Sequence, residues 1–231
     1  MSIRHLDALF APASVAVFGA SERPGSVGGT VWRNLLGDGS SGYRGRLYPV
    51  NPKHSHLNGS TAYRNVDALP EAPDLAVICT PPATVAPLIA ALGARGTRAA
   101  IVVTAGLSQA QKQAMLDAAK VHTLRILGPN CIGMLVPHLG LNASFAHIGA
   151  LPGDLAFVSQ SGALVTAMLD WAGSRGIGFS HFVSLGERAD VDFGDMLDFL
   201  GTDPKTRSIL LYIESIDEAP KFMSAARAAA R

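Results

Sequence analysis

Two short segments rich in glycine and serine stand where a strand would hand over to a helix, and each has the makings of an anion site. The first is Gly19-Ala20-Ser21-Glu22-Arg23-Pro24-Gly25-Ser26-Val27-Gly28. Small residues let the backbone approach a phosphate, and a helix starting behind them presents free N–H groups and a positive dipole end. Ser21 and Ser26 add hydroxyl donors. The spacing departs from G-x-G-x-x-G, so this is a variant nucleotide loop. A simple connecting turn would use the same glycines, but the first loop of a doubly wound sheet usually binds something. The second segment is Ser159-Gln160-Ser161-Gly162. Its hydroxyls and helix-start N–H groups suit a phosphate. It fails the G-x-S-x-G pattern, because Ser159 and Ala163 stand at the two glycine positions. A serine N-cap there is compatible with anion binding.

Other chemistry-bearing residues follow strand candidates. Asn51-Pro52-Lys53 ends the second strand with no carboxylate for ribose hydroxyls, so Lys53 suits a phosphorylated ribose, as in NADP or coenzyme A. A solvated surface lysine reads equally well. Thr80-Pro81-Pro82 ends the third strand, and Gly128-Pro129-Asn130 follows the fifth, at the carboxyl edge where ligands sit. Cys131 next to it has no evident base partner and reads as a small core residue. Glu214 closes a later strand, where a carboxylate can face a site or simply be solvated. The seven histidines are scattered without metal-ligand spacing, so no metal site is expected.

The elements that would position these residues alternate. Strands are expected at Ser14–Phe18, Arg46–Val50, 74–80, 99–104 and 124–127. Helices fall between them: Val27, Val31 and Leu35 recur at helical spacing before Gly37, and Val85, Leu88, Ile89 and Leu92 form a second stripe. Ser108 and Gln111 spell a capping box for a third. The pattern restarts with strands at 155–158, 179–184 and 208–213, a helix carrying Phe193, Met196, Leu197 and Leu200, and a last helix from about Asp217. Residues 126–153 carry no formal charge and read as irregular, site-lining chain at a junction, since several Pro and Gly exclude a membrane helix there. The expectation is α/β throughout: a doubly wound parallel domain over 1–148, then a second, incomplete domain over 149–231 with only three strands.

Composition agrees with a folded chain of one or two domains. Of 231 residues 48% are hydrophobic and 16% charged, which excludes a disordered chain. With 19 Lys plus Arg against 18 Asp plus Glu, the net charge is +1, so no basic excess points to nucleic acid or a membrane surface. Two cysteines and no secretory h-region fit a reduced, cytoplasmic protein.

At these motifs the sequence resembles the NDP-forming (ADP-forming) acyl-CoA synthetases, relatives of the succinyl-CoA synthetase α chain. The resemblance is carried by residues 14–28 (SVAVFGASERPGSVG), 48–53 (YPVNPK), 80–82, 128–133 (GPNCIG), 158–163 (VSQSGA), 183–192 (VSLGERADVD) and 203–216 (DPKTRSILLYIESI), in the family's order. It implies a CoA-binding Rossmann-like domain and a truncated flavodoxin-like succinyl-CoA-synthetase-type domain. Residues 19–28 then look like the CoA phosphate site, with Lys53 nearby. Gly128, Pro129 and Asn130 look like the lining of the CoA and acyl site, and residues 159–162 like the helix start that holds phosphate. Glu214 matches a carboxylate that steadies a phosphorylated histidine.

The resemblance also sets limits. The family's phospho-histidine lies in a loop beyond the helix near Asp217, and ADP, ATP and Mg belong to an ATP-grasp domain absent here, so this chain alone is expected not to turn over. Gly186-Glu187 stands where the family often has Gly-Asn. Residues 141–147 (LNASFAH) and 151–155 (LPGDL) are closest to multidomain proteins whose synthetase-like part is fused to a protein lysine acetyltransferase. A noncatalytic CoA or acyl-CoA sensor is therefore the alternative function. An NADP oxidoreductase is a third, disfavoured by the glycine spacing.

Overall fold

The strand β1 (Ser14–Phe18) is buried at every position and apolar from Val15 onward, as a central parallel strand requires. In the computed structural model, which describes residues 3–38 and 42–230, it is joined by β2 (Arg46–Val50), β5 (Leu75–Ile78), β6 (Ala99–Val102) and β7 (Arg125–Leu127). They form one parallel sheet in the order β2-β1-β5-β6-β7. A small hairpin of β3 (His56–Leu57) and β4 (Ser60–Thr61) follows β2. Alternate strand residues feed opposite faces. Val15, Val17, Leu75 and Val77 pack with α1 (Leu6–Phe10) and α2 (Val27–Leu36). Ala16, Phe18, Ala76 and Ile78 pack with α3 (Val85–Arg95) and α4 (Gln109–His122). The capping box forms as expected: Gln111 N–H donates to Ser108 Oγ at 3.3 Å, and Ser108 N–H to Gln111 Oε1 at 2.8 Å.

The second sheet corrects the sequence reading. It has five strands rather than three, in the order β12-β10-β11-β8-β9. The parallel members β10 (Leu151–Ser159), β11 (Gly178–Ser184) and β12 (Ser208–Tyr212) stand near their expected places. The other two, β8 (Gly133–Val136) and β9 (Leu141–Ser144), are an antiparallel hairpin from the uncharged stretch read as irregular. Each is only four residues long, and the glycines and proline that suggested loop are what the hairpin needs. Gly133 has φ 108° and lies so close to the Ala143 carbonyl that a Cβ would collide with it. Pro137 and Gly140 make the turn. By pairing, β8 and β9 thus join the second sheet although they precede the division expected after residue 148. Helices α5 (Gly162–Gly173), α6 (Phe193–Leu200) and α7 (Ala219–Ala229) complete it. The expected last helix thus begins at Ala219, and Arg231, read as its end, lies outside the described residues. Among the described residues no helix is long and apolar enough to cross a membrane.

Helix α2 lies between the sheets. Its Asn34 Nδ2 donates to the carbonyls of Ser144 and Ala146 at 2.8 and 2.9 Å, satisfying backbone at the end of β9. One apolar cluster runs unbroken through Val17, Trp32, Met134, Val158 and Val183. At the far end, buried His181 of β11 stands edge-on to Phe10 of α1 at 5.4 Å and to Phe199 of α6 at 5.6 Å. Burial holds its pKa down to about 4, against the pull of the Asp203 carboxylate 3.5 Å away.

Between pH 6.5 and about 4 the unfolded chain takes up a proton that folded His181 refuses, so stability falls as pH drops through that window and levels off below it. Melting temperatures at pH 7 and pH 4.5 check this. His181→Gln should show a smaller difference between the two; an unchanged difference contradicts the assignment.

Candidate functional site

The carboxyl edges of the two sheets face each other across a cleft of about 920 Å³. Val27, Thr80, Pro81 and Asn130 reach it from the first unit, and Gln160, Ser161, Gly162 and Glu214 from the second. Eight expected site residues from five separate motifs are thus brought together. Gly19, Ala20, Ser21, Pro24, Gly25, Ser26, Asn51, Pro52, Lys53, Pro82, Gly128, Pro129 and Ser159 are not on its wall, and most of them shape the loops that are.

Loop 19–28 folds tightly onto the start of α2. Gly19 has φ 88°, and a Cβ there would come within 2.8 Å of the Cys79 carbonyl oxygen. A Cβ on Gly28 would strike the Gly19 carbonyl. The serines are occupied locally: Ser21 Oγ accepts from Arg23 N–H at 3.0 Å, and Ser26 Oγ donates to the Arg23 carbonyl at 2.7 Å. Ser26 is the N-cap residue of α2 but makes no side-chain cap, which leaves the first helical N–H groups as the donors an anion would meet. Asn51 braces this loop, its Nδ2 donating to the Ala20 carbonyl at 2.8 Å while Oδ1 accepts from Lys53 N–H at 2.8 Å. The Lys53 side chain is exposed outside the cleft.

The 128–130 loop is backbone-driven. Gly128 has φ 101°, the Gly128–Pro129 peptide bond is cis, and Asn130 is left-handed at φ 55°. Asn130 N–H donates to the Thr104 carbonyl at 3.0 Å, and its Nδ2 to Glu187 Oε1 at 3.2 Å. Lys112 pairs with the other Glu187 oxygen. Residue 187 therefore ties its loop to the first unit.

In the second unit Ser161 caps α5, its Oγ accepting from Leu164 N–H at 3.3 Å. Ser159 is buried, donating to the Ser161 carbonyl at 2.9 Å and accepting from Ser161 N–H at 3.1 Å. It is a brace for the loop. Gln160 is turned away from a purely phosphate-facing role: Oε1 accepts from Glu214 N–H at 2.8 Å and Ser215 N–H at 3.1 Å. The exposed Glu214 side chain is thus held at the cleft through its own backbone.

Sequence reasoning missed Thr104, Ile132, Phe145 and Glu187 as wall residues. Thr104 was the accessible one, since it ends a parallel strand at the carboxyl edge; its Oγ1 donates to the Thr80 carbonyl at 2.7 Å. Cys79 and Cys131 also line the cleft, but burial pushes both thiols up to about 12, so they are protonated at neutral pH and poor nucleophiles. None of the cleft-lining residues is a lysine or arginine.

Gly28→Ala should destabilise the chain by about 1–3 kcal/mol despite alanine's better helix propensity, because the added methyl overpacks a backbone contact. Urea unfolding measures it; a stability equal to or above wild type would contradict the packing described.

Comparison with known proteins places both units. A CoA binding domain model matches residues 13–137, and a succinyl-CoA ligase like flavodoxin domain model matches residues 152–231. The chain is 38% identical over 232 residues to the alpha subunit of acetate–CoA ligase [ADP-forming] I of Pyrococcus furiosus, covering 96% of this chain and 50% of that protein. It is 36% identical over 232 residues to acetate–CoA ligase [ADP-forming] I of Archaeoglobus fulgidus, covering 98% and 33%. Among solved structures it superposes on the dinucleotide forming acetyl-coenzyme A synthetase 1 of Ca. Korarchaeum cryptofilum, in complex with phosphate and ADP, with TM-score 0.92 and 37% identity over 97% of this chain and 49% of that one. The chain spans a third to a half of the length of these relatives. On these matches, and with the parallel sheet they share, the chain belongs to the CoA-binding domain family, continued by a succinyl-CoA ligase-like flavodoxin domain.

Proposed function

We propose that this chain is the CoA- and acyl-CoA-binding region of an ADP-forming acyl-CoA synthetase acting on small acyl groups. The observation that carries the reading is the convergence of the α2 and α5 starts, the Asn130 loop and Glu214 on one cleft. The relatives named above, ADP-forming ligases at 36–38% identity along the chain, support it. They also disfavour the acetyltransferase-linked sensor.

In the proposed reaction inorganic phosphate attacks the thioester carbonyl of acyl-CoA. The C–S bond breaks, leaving acyl phosphate and CoA. The phosphoryl group then passes to a histidine, releasing the acid, and from it to ADP, forming ATP. The chain's share is binding and positioning. Loop 19–28 and the α2 N–H groups hold the CoA phosphates, with Lys53 toward the 3′-phosphate side. Asn130 and the adjoining Gly128-Pro129 backbone line the CoA and acyl region. The α5 start at Ser161 and Gly162 holds phosphate, with Ser159 and Gln160 bracing it. Fixed N–H donors suit this chemistry, because charge grows on oxygens that pre-aimed dipoles stabilise without reorganising. Glu214 steadies the phosphorylated histidine. That histidine, and the ATP-grasp unit that binds ADP and Mg, are assigned to polypeptide outside these 231 residues.

Calorimetry should show that the chain binds CoA and leaves NADP without heat; the reverse pattern overturns the reading. Lys53→Ala should weaken CoA by about fivefold, the worth of one exposed ion pair, and dephospho-CoA hardly at all. Equal losses for the two ligands would remove Lys53 from the site. Mixed with acetyl-CoA, ADP and phosphate, the chain alone should form no ATP, and turnover in a coupled assay would show that the histidine had been misassigned.

A further inference from the structure

Arg188 has no place in the cleft wall, yet its surroundings are unusually specific. Its backbone is left-handed at φ 51°, a conformation few residues with a side chain adopt. Its side chain is only 7% exposed. Nη1 donates to the Ser215 carbonyl at 2.7 Å, Nη2 to Ser215 Oγ at 2.8 Å, and Nη2 pairs with Asp217 at 3.1 Å. Nε is buried without a hydrogen-bond partner. Burying a guanidinium and leaving one donor unmet is unfavourable, so the orientation is dictated by the loop it grips. That loop begins at Glu214.

The residues before and after Arg188 are anchored on the other unit: Glu187 N–H donates to the Pro129 carbonyl and Ala189 N–H to the Gly128 carbonyl, both at 2.9 Å. Gly186, at φ 59°, lies so close to Pro129 and Asn130 that a Cβ would strike their carbonyls. We propose that Arg188 is a positioning residue, which fixes the Glu214 loop relative to residues 128–130 and so sets where the Glu214 carboxylate stands in the cleft. This rests on the role given to Glu214 above. Gln160 holds the loop from the α5 side; Arg188 holds it from the CoA-domain side.

The test is amide hydrogen exchange at Glu214 and Ser215 in the whole chain, with Val158 as the core reference. Arg188→Ala should speed exchange at both amides by about tenfold or more and leave Val158 within about twofold, since local openings are independent of global unfolding. Arg188→Lys keeps the charge and one donor contact and should fall between wild type and alanine. Unchanged exchange at Glu214 and Ser215, an equal rise at Val158, or a lysine variant no better than alanine would each overturn the proposal. Should Arg188→Ala fail to fold, Asp217→Ala removes only the ion pair at a 72% exposed side chain; it should give a rise of about two- to threefold, and no rise overturns the proposal. CoA calorimetry on the same samples separates the two levels. A wild-type chain that ignores CoA defeats the functional reading and leaves the exchange contrast intact.

Discussion

Three backbone hydrogen bonds join the units where the cleft needs them: Glu187, Ala189 and Val191 N–H groups donate to the carbonyls of Pro129, Gly128 and Ile126. They continue, strand-like, the edge of the first sheet into a loop of the second unit. Around them Arg125 bonds Asp190 at 3.0 Å and Asp195 at 3.0 Å, and Lys221 of α7 reaches Asp192 and Asp195, each at 2.9 Å. Asp195 is buried at the centre of this network, and desolvation raises its pKa despite the two cations. Its carboxylate is tolerable there because every charge has a partner. If this seam slipped, the α5 start and Glu214 would no longer face loop 19–28 and Asn130.

The near-neutral charge of the chain has a local counterpart. Glu187 and Glu214 stand at the cleft, and among the described residues no basic side chain lines it. Lys112 neutralises Glu187, and Asn130 shares it. On the proposed function, anion recognition in such a setting falls to helix starts and loop N–H groups, which carry fixed partial charges and need no ordering of long side chains. The glycines at 19 and 28 serve that end by letting the loop close onto α2.

Much of this was legible in the residues. Apolar strands ended by Gly or Pro gave the first sheet, because buried parallel strands have to be apolar on both faces. Ser108 and Gln111 gave a helix start because both halves of that cap are local. The β8–β9 hairpin was hidden because both strands are four residues long, β8 starts on a glycine and runs into Pro137, and β9 follows Gly140, which read as loop until a partner strand is known. In the site, residue types could be chosen but not the direction of their bonds. Gln160 was read only as part of the helix start that holds phosphate, yet its side-chain carbonyl oxygen is spent on the Glu214 loop. Nothing local distinguishes the two, since the deciding partner lies 54 residues away. Arg188 was invisible for the same reason.

The proposed function requires that the cleft between the two sheets receives CoA. A crystal structure of the chain grown with CoA tests it most directly. The CoA phosphates should lie against residues 19–28 and the α2 start, with the thiol end reaching between Asn130 and Ser161. CoA bound instead in the separate groove lined by Arg33, Arg44, His138 and Leu151, with this cleft empty, would contradict it.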